Sequence, residues 1–505
     1  MRQLLELPLE VVEDVIDHLH VKELLDLQLC CKSLRRVVGP RLWENVSLNV
    51  GDIEPKGPMV TGRFTNSHPF ENEKFLMITD TDRLKEFAKM VFSHDEEIFS
   101  WIKRLSVNMQ SFIQTPTVAP KVSALYKFEG LTNFVYWFLL KIKQHQLQAL
   151  LALDLRTALG RPTENWQTSI VSFIMSEISA EETYLTMSFY RPLRGQGDCL
   201  ITSNVTRIVA DVRHFSGDFF ADLKTICGKQ LPKNVRELSV FGIGEHRELC
   251  HLDVDELQTF LANANQLEKL RLSNFELIPN GVNWLPQTIT FLGISQDLGK
   301  IHVSDTILHK SVLYAPLVKE LDVRTEDGRI LRRLNLPQLE TLTLRKRGPY
   351  TPEGDYIMGE EDLVENMATV FPRFPKLCRL NFEDISIPCL KGILAESNGV
   401  VKHLYCNYST FTTISKPIIH SIILDIAEYL PRVETVQIDF SIDLGGQNEY
   451  PLYKVIEEYI YRCPNLKHFD IQSIKFPVKN FPYLYIDKDG STGHVDINLF
   501  KKTYM

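Results

Sequence analysis

The sequence predicts an α/β protein, in which a small N-terminal helical module is followed by an irregular solenoid of helix–turn–strand repeats. Three observations predict this class. Apolar residues follow helical spacing between residues 7 and 29. Glycine and proline then concentrate in residues 51–69, which breaks regular structure. Beyond them, the phrase apolar-x-x-apolar-x-apolar returns at an average interval of about 30 residues, which is a typical repeat period.

Composition restricts the class of protein further. The chain has 505 residues, of which 44% are hydrophobic, so it can bury a large core. A net charge of -8 excludes the basic field of nucleic-acid binders, and we expect no nucleic-acid partner. The nine cysteines contain no CxxC pair, which indicates reduced thiols and a cytoplasmic or nuclear location. The most apolar stretch, 134–140, is too short to cross a bilayer, so no membrane association is expected.

The first 50 residues predict two or three short helices with more apolar surface than they can bury. A module of roughly 40 residues normally needs a staple or a partner, since it leaves apolar side chains exposed. This stretch therefore predicts a docking surface. The helically spaced apolar residues are Leu7, Val11, Val12, Val15, Ile16, Leu19, Leu24, Leu25, Leu27 and Leu29.

The module has a definite residue order. It reads Leu7-Pro8-x-Glu10-Val11-Val12, then Leu19, Glu23-Leu24-Leu25, Cys31-Lys32 and Leu42-Trp43. This order resembles the F-box, a family motif that binds the Skp adaptor and through it a cullin-RING ubiquitin ligase. Leu34 stands where that family usually has a tryptophan. The resemblance implies adaptor contacts at Leu7, Pro8, Val11, Ile16, Leu19, Leu24 and Leu25, with Leu34 and Trp43 in supporting roles. The alternative is an ordinary helical cap on the rest of the chain.

Breaker residues set the expected domain boundaries. Gly51, Pro55, Gly57, Pro58, Gly62 and Pro69 lie in polar sequence and mark a loop. We therefore expect an F-box at 1–50, a loop or linker at 51–75, and a repeat region at 76–505.

The repeat region alternates amphipathic stretches, such as 253–267 and 387–397, with short apolar phrases. Seven phrases have a proline two or three residues ahead, which ends the preceding segment. The region resembles the degenerate leucine-rich-repeat horseshoe that often follows an F-box. An all-helical HEAT-like array is the alternative, although valine, threonine and isoleucine in the phrases favour strands. The central phrase residues are Leu105, Leu153, Met187, Ile208, Leu238, Leu270, Leu292, Leu321, Leu342, Leu380, Leu404, Val436 and Phe469.

No catalytic motif occurs in the sequence: GxxxxGK[ST], GxSxG and HExxH are all absent. The densest group of metal-ligand types is Glu245, His246, Glu248, Cys250 and His251, for which no fourth ligand and second shell can be identified. We interpret it as a polar loop, and expect no metal, no cofactor and no enzymatic activity.

If the phrases are strands, a period of two exposes every second residue on one sheet face. The exposed candidates for substrate binding are Arg271, Phe291, Arg324, Arg345, Arg379 and Tyr405. Our hypothesis is that these arginines hold an acidic or phosphorylated segment of a protein substrate. The alternative is ordinary solvated charge, because Glu320, Asp322 and Glu383 lie among them.

The two resemblances together imply a non-catalytic, substrate-recognition subunit of an SCF (Skp–cullin–F-box) ubiquitin ligase. The F-box would dock the Skp adaptor and its cullin-RING core, and the repeats would bind a protein for ubiquitination. A scaffold that uses the adaptor without ubiquitin transfer is the alternative.

Overall fold

The computed structural model divides the chain into two compact units, 1–245 with 260–266 and 246–259 with 267–505. The described residues are 8–19, 21–30, 32–49, 60–63, 74–79, 97–109, 135–146, 148–159, 165–189, 204–212, 223–224, 226–228, 230–242, 250–252, 254–273, 275–277, 283–295, 313–325, 328–345, 360–383, 385–397, 399–407, 426–439, 457–472, 484–486 and 492–504.

The first unit begins with helices and continues as a sheet with helices between its strands. Its helices are α1 (Leu9–His18), α2 (Val21–Cys30), α3 (Lys32–Leu42), α4 (Ile98–Trp101) and α5 (Asn165–Glu177), and residues 135–145 are also helical. Its strands are β1 (Asn45–Asn49), β2 (Val60–Arg63), β3 (Lys74–Thr79), β4 (Arg104–Asn108), β5 (Leu150–Leu159), β6 (Ala180–Phe189), β7 (Val205–Val212) and β8 (Glu237–Gly242).

The sheet of this unit is almost entirely parallel. From β1 the strands follow in chain order β4, β5, β6, β7 and β8, each pairing in parallel with the one before. On the other side of β1 lies β3, also parallel, and β2 pairs with β3 in the antiparallel sense. The expected loop at 51–75 therefore contains a paired strand at Val60–Arg63, because these residues supply main-chain partners for β3.

The second unit has the same alternation. Its strands are β9 (Cys250–Leu252), β10 (Lys269–Ser273), β11 (Phe275–Leu277), β12 (Phe291–Ser295), β13 (Leu313–Tyr314), β14 (Glu320–Arg324), β15 (Leu334–Asn335), β16 (Thr341–Arg345), β17 (Arg379–Glu383), β18 (His403–Asn407), β19 (Thr435–Asp439), β20 (His468–Gln472), β21 (Leu484–Ile486) and β22 (Thr492–Val495). Its helices are α6 (Val254–Leu261), which crosses the division at residue 260, α7 (Glu360–Val370), α8 (Ile387–Glu396) and α9 (Ile497–Tyr504). Two 3₁₀ segments cover Arg329–Arg333 and Phe371–Arg373.

Eight strands of the second unit form a parallel sheet in chain order. These are β10, β12, β14, β16, β17, β18, β19 and β20. Each has five residues, and all eight are in register. After β20 comes β22, which pairs with β20 in the antiparallel sense, and β21 pairs with β22 in the antiparallel sense.

The phrase pattern explains the core of this sheet. Residues two and four of each five-residue strand are apolar and buried, so period-two alternation sends them to the same face. The residue-two row is Leu270, Leu292, Leu321, Leu342, Leu380, Leu404, Val436 and Phe469. Across both units, all thirteen central phrase residues lie in strands, as the sequence predicts.

The prolines ahead of the strands occupy a recurrent turn. Before β17, the N–H of Leu377 donates to the carbonyl of Phe374 at 3.0 Å, and Pro375 is the second residue of that turn. The same geometry recurs where Leu466 N–H donates to Cys463, across Pro464, at 3.0 Å. Proline favours this position because its fixed φ matches the turn. At these two positions the proline turn leads the chain into the strand that follows.

The predicted helices form at the expected positions, but they are shorter than predicted. The stretch 253–267 gives α6, which ends at Leu261, and 387–397 gives α8, where the Ser386 hydroxyl accepts the N–H of Cys389 as an N-cap. Among the described residues, no helix has the length and apolar composition to cross a membrane.

Candidate functional site

The N-terminal helix α1 begins directly after Pro8. The Pro8 carbonyl accepts the N–H groups of Val11 and Val12 at 3.0 and 3.1 Å, so the first turn starts at this residue. The helix ends where the Leu19 N–H bonds the carbonyl of Ile16 at 3.1 Å. Pro8 lacks an N–H, which makes it suitable for a helix start.

Helix α1 has one buried face and one exposed apolar face. Val12 and Ile16 are buried at 4% and 1% exposure. Val11 and Val15, spaced by one turn, are 44% and 38% exposed, and Pro8 is exposed one turn earlier. Residues three and four apart lie side by side on a helix. Pro8, Val11 and Val15 therefore form a continuous apolar strip, which we call the α1 strip.

Four of the nine predicted adaptor-contacting residues lie in the core of the module. Ile16, Leu24, Leu34 and Trp43 are buried, at 1%, 3%, 0% and 1% exposure. In this conformation these four side chains stabilise the packing of the helices. They are not accessible to a partner. For Leu34 and Trp43 this fits the supporting role implied by the resemblance.

The remaining predicted contacts have different placements. Pro8 and Val11 are exposed, and Leu19 is half-buried. Leu25 lies in α2, with a side chain outside the description, and Leu7 is outside the described residues.

The helical module is joined closely to the first strands of its unit. Helix α2 packs on α3, and α3 packs on α4. Gly39 in α3 faces the Trp101 ring so closely that a Cβ there would lie 2.3 Å from a ring carbon. Arg41 Nε bonds Asp17 of α1 at 3.2 Å, and Lys103 Nζ bonds Glu44 at 3.0 Å.

The second candidate site is the polar face of the eight-strand sheet in the second unit. Residues one, three and five of each strand share this face, opposite the apolar rows. The residue-one row is Lys269, Phe291, Glu320, Thr341, Arg379, His403, Thr435 and His468. The predicted substrate residues all lie on this face.

Two of the four predicted arginines are neutralised within the sheet. Asp322 accepts Arg271 Nη2 at 3.1 Å on one carboxylate oxygen and Arg345 Nε at 2.9 Å on the other. Arg345 also bonds Glu383, and the Arg271 guanidinium lies 5.1 Å from the centre of the Phe291 ring. Arg271 and Arg345 therefore have internal counter-ions, because the strand register places carboxylates beside them, and their role in substrate binding stays a prediction.

Arg324 and Arg379 remain exposed on the same face. Neither forms an ion pair with another described residue. Tyr405 is half-buried, and burial, followed by the charges of Asp439 and Glu383, raises the pKa of its phenol. The four predicted arginines thus form two groups. The neutralised group is Arg271 and Arg345, and the open group is Arg324 and Arg379.

Gly293 leaves room for the ion pair between Arg271 and Asp322. Gly293 lies between Arg271 and Asp322 on the intervening strand, and a Cβ there would come within 2.9 Å of Arg271 Cγ. Gly293→Ala should displace Arg271 and lower the free energy of unfolding by about 1 kcal/mol, the upper range for a partly exposed ion pair. Denaturant titration measures this loss.

The matched control for this prediction is Arg271→Ala. Once Arg271 is truncated, the added methyl group has nothing to displace, so Gly293→Ala should cost almost nothing more. Fully additive losses in the double variant would contradict the role assigned to Gly293.

Two residues of the sequence-predicted group of metal-ligand types lie in a described strand. Cys250 and His251 are consecutive in β9, which pairs with β11. The expected polar loop is therefore a strand at these two positions. Glu245, His246 and Glu248 lie outside the described residues, and no metal-binding group occurs in the described part of the chain.

Sequence reasoning missed one residue of the exposed face of α1. Val15 is among the helically spaced apolar residues but not among the predicted adaptor contacts, although its one-turn spacing from Val11 could have shown their shared face.

A comparison with known families matches the N-terminal helical module. Residues 4–49 match the model of the F-box-like family. This range includes α1, α2, α3 and β1. No curated protein matches the chain. The N-terminal domain is therefore F-box-like, and it precedes a mixed α/β region.

Proposed function

We propose that this chain is the substrate-receptor subunit of an SCF-type ubiquitin ligase. In this proposal the F-box-like domain binds a Skp adaptor, which connects it to a cullin-RING core. The polar sheet face of the second unit holds the protein to be ubiquitinated. The chain acts in the cytoplasm or nucleus and supplies no catalytic residue of its own.

The observation that carries the proposal is the α1 strip within the F-box-like domain. Pro8, Val11 and Val15 present apolar surface to solvent while the opposite face of α1 is buried. Burying apolar surface contributes roughly 25 cal/mol per Å² to association. F-box domains commonly bind the Skp adaptor, and this strip is a surface on which such a partner can dock.

The proposal also assigns a leucine-rich-repeat solenoid to residues 76–505. Support comes from the parallel strands in chain order and from the leucine-rich residue-two row. Each strand follows a turn, and several follow a helix, which is the unit expected of such repeats.

The mechanism is proximity. A receptor that holds ligase core and substrate together makes ubiquitin transfer effectively intramolecular, with a high local concentration of the two reacting groups. The residues that matter for this activity are therefore docking residues.

The proposal is tested by reconstitution. The intact chain should co-elute from size exclusion with a purified Skp adaptor and, through it, with the cullin-RING core. Co-elution with the adaptor while cullin is excluded would favour a scaffold without ubiquitin transfer. Absence of adaptor binding would contradict both roles.

A further inference from the structure

Charge is segregated along the sequence of the F-box-like domain. Residues 9–30, which cover α1 and α2, contain six acidic residues and one lysine. Residues 32–42, which form α3, contain four basic residues and no acidic one. The first two helices therefore carry net negative charge and the third carries positive charge. A partner that docks on α1 meets the negative part of the domain.

Asp14 lies beside the α1 strip. Successive residues of an α-helix are turned by about 100°, so Asp14 is about 60° from Val11, on the side away from the buried Val12. The Asp14 side chain is 78% exposed. The exposed face of α1 thus places a carboxylate next to apolar surface. A partner that covers Val11 and Val15 should also cover part of Asp14.

The Asp14 carboxylate is open to a cation from a partner. Among the described residues its one ion-pair contact is with His18 Nδ1 at 3.9 Å, which is longer than a hydrogen bond. His18 Nδ1 donates instead to the main-chain carbonyl of Asp14, at 2.7 Å. Asp17, by contrast, is already paired, because Arg41 Nε contacts its carboxylate at 3.2 Å.

Docking on the α1 strip would remove water from part of Asp14. A carboxylate that loses water without gaining a counter-ion opposes association, whereas a lysine or arginine placed against it satisfies the charge. Complementary charge also speeds association and excludes partners of like sign. The negative charge of Asp14 and of the surrounding α1 and α2 therefore selects a partner with a basic group beside its apolar contact.

We propose that the partner seated on the α1 strip presents a lysine or arginine side chain to Asp14, which makes Asp14 a specificity-determining residue of docking. This inference rests on the proposed function, because it assigns the chemistry of the adaptor surface that contacts α1. Pro8, Val11 and Val15 supply apolar contact area, and Asp14 determines the sign of the charge that lies beside it.

Glu13 offers a matched control on the same helix. It is exposed and forms no ion pair with another described residue. Glu13 is turned by about 200° from Val11, so it lies on the side of α1 opposite the strip. Opposite sides of a helix are about 10 Å apart, which exceeds the Debye length of about 8 Å at physiological ionic strength. A charge at position 13 is therefore screened from a partner on the strip.

The test measures the Kd of the full-length chain for a purified Skp adaptor at an ionic strength of about 0.15 M. Asp14→Lys should raise Kd by roughly tenfold or more, because it sets like charges against each other, and Asp14→Asn should raise it about threefold. In about 1 M salt the Debye length falls to about 3 Å, so the loss in Asp14→Lys should shrink below about threefold. Glu13→Lys makes the same change of charge and should stay within about threefold of wild type in both salts.

Three results would overturn the inference while adaptor binding by the wild-type chain, and with it the proposed function, stands. These are wild-type affinity in Asp14→Lys, an equal loss in Glu13→Lys, and tighter binding of Asp14→Lys, which would indicate an acidic partner surface. An adaptor that does not bind the wild-type chain would overturn the proposed function and this inference together. Circular dichroism of each variant checks that the helices are retained.

Discussion

Replacing Val11 and Val15 together by aspartate should weaken adaptor binding by at least about a hundredfold. Both side chains are exposed on the α1 strip, so the substitutions leave the helix packing intact. Each aspartate removes apolar contact area and must be desolvated at the interface, which together costs about 3 kcal/mol or more. At 1.4 kcal/mol per tenfold, this corresponds to roughly a hundredfold in Kd, measured by calorimetry or surface plasmon resonance.

The control for this prediction is Glu13→Ala. Glu13 is exposed on α1, outside the strip. This change should alter Kd by no more than about threefold, within the effect of an exposed charge. Normal adaptor affinity in the aspartate variant, with the fold retained by circular dichroism, would exclude the α1 strip as the docking surface.

Trp43→Ala should destabilise the helical module by about 3 to 5 kcal/mol, as for other large aromatic truncations in cores. Trp43 is 1% exposed, and its main-chain N–H, which the alanine variant keeps, donates to the Gly39 carbonyl at 2.9 Å at the end of α3. Amide hydrogen exchange within residues 9–49 should accelerate by roughly a hundredfold or more, since local opening becomes easier by that energy.

Trp43→Phe should destabilise the helical module in the same way, but less than Trp43→Ala. Phenylalanine keeps part of the buried ring, so exchange in this variant should fall between that of the wild type and that of Trp43→Ala. Unchanged protection in the alanine variant would mean that Trp43 does not support the module. Because the α1 strip depends on that module, adaptor affinity should fall in parallel with protection.

The sequence predicts the strands well because their signal is local. Leu321 or Leu380 is recognisable from apolar neighbours two and three positions away, and the proline ahead of seven of the phrases marks where a strand begins. The short strand β2 has no such signal. Its pairing with β3 is a long-range event, and its surroundings are rich in breaker residues.

The sites are harder to predict because they depend on which residues face each other. Apolar periodicity identifies Ile16 and Leu24 as important, but it cannot tell a core contact from a partner contact on so small a module. The arginines were predicted as one patch. Their division into a neutralised and an open group depends on Arg271 reaching Asp322 across Gly293, a contact between residues 51 positions apart.

Gly39 joins the helical module to the part of the unit that follows it. Helix α3 packs against the Trp101 ring at this glycine, and Lys103 bonds Glu44 just beyond the end of α3. A larger residue at position 39 should therefore disturb two regions at once, the helices that would dock an adaptor and the first strands of the sheet.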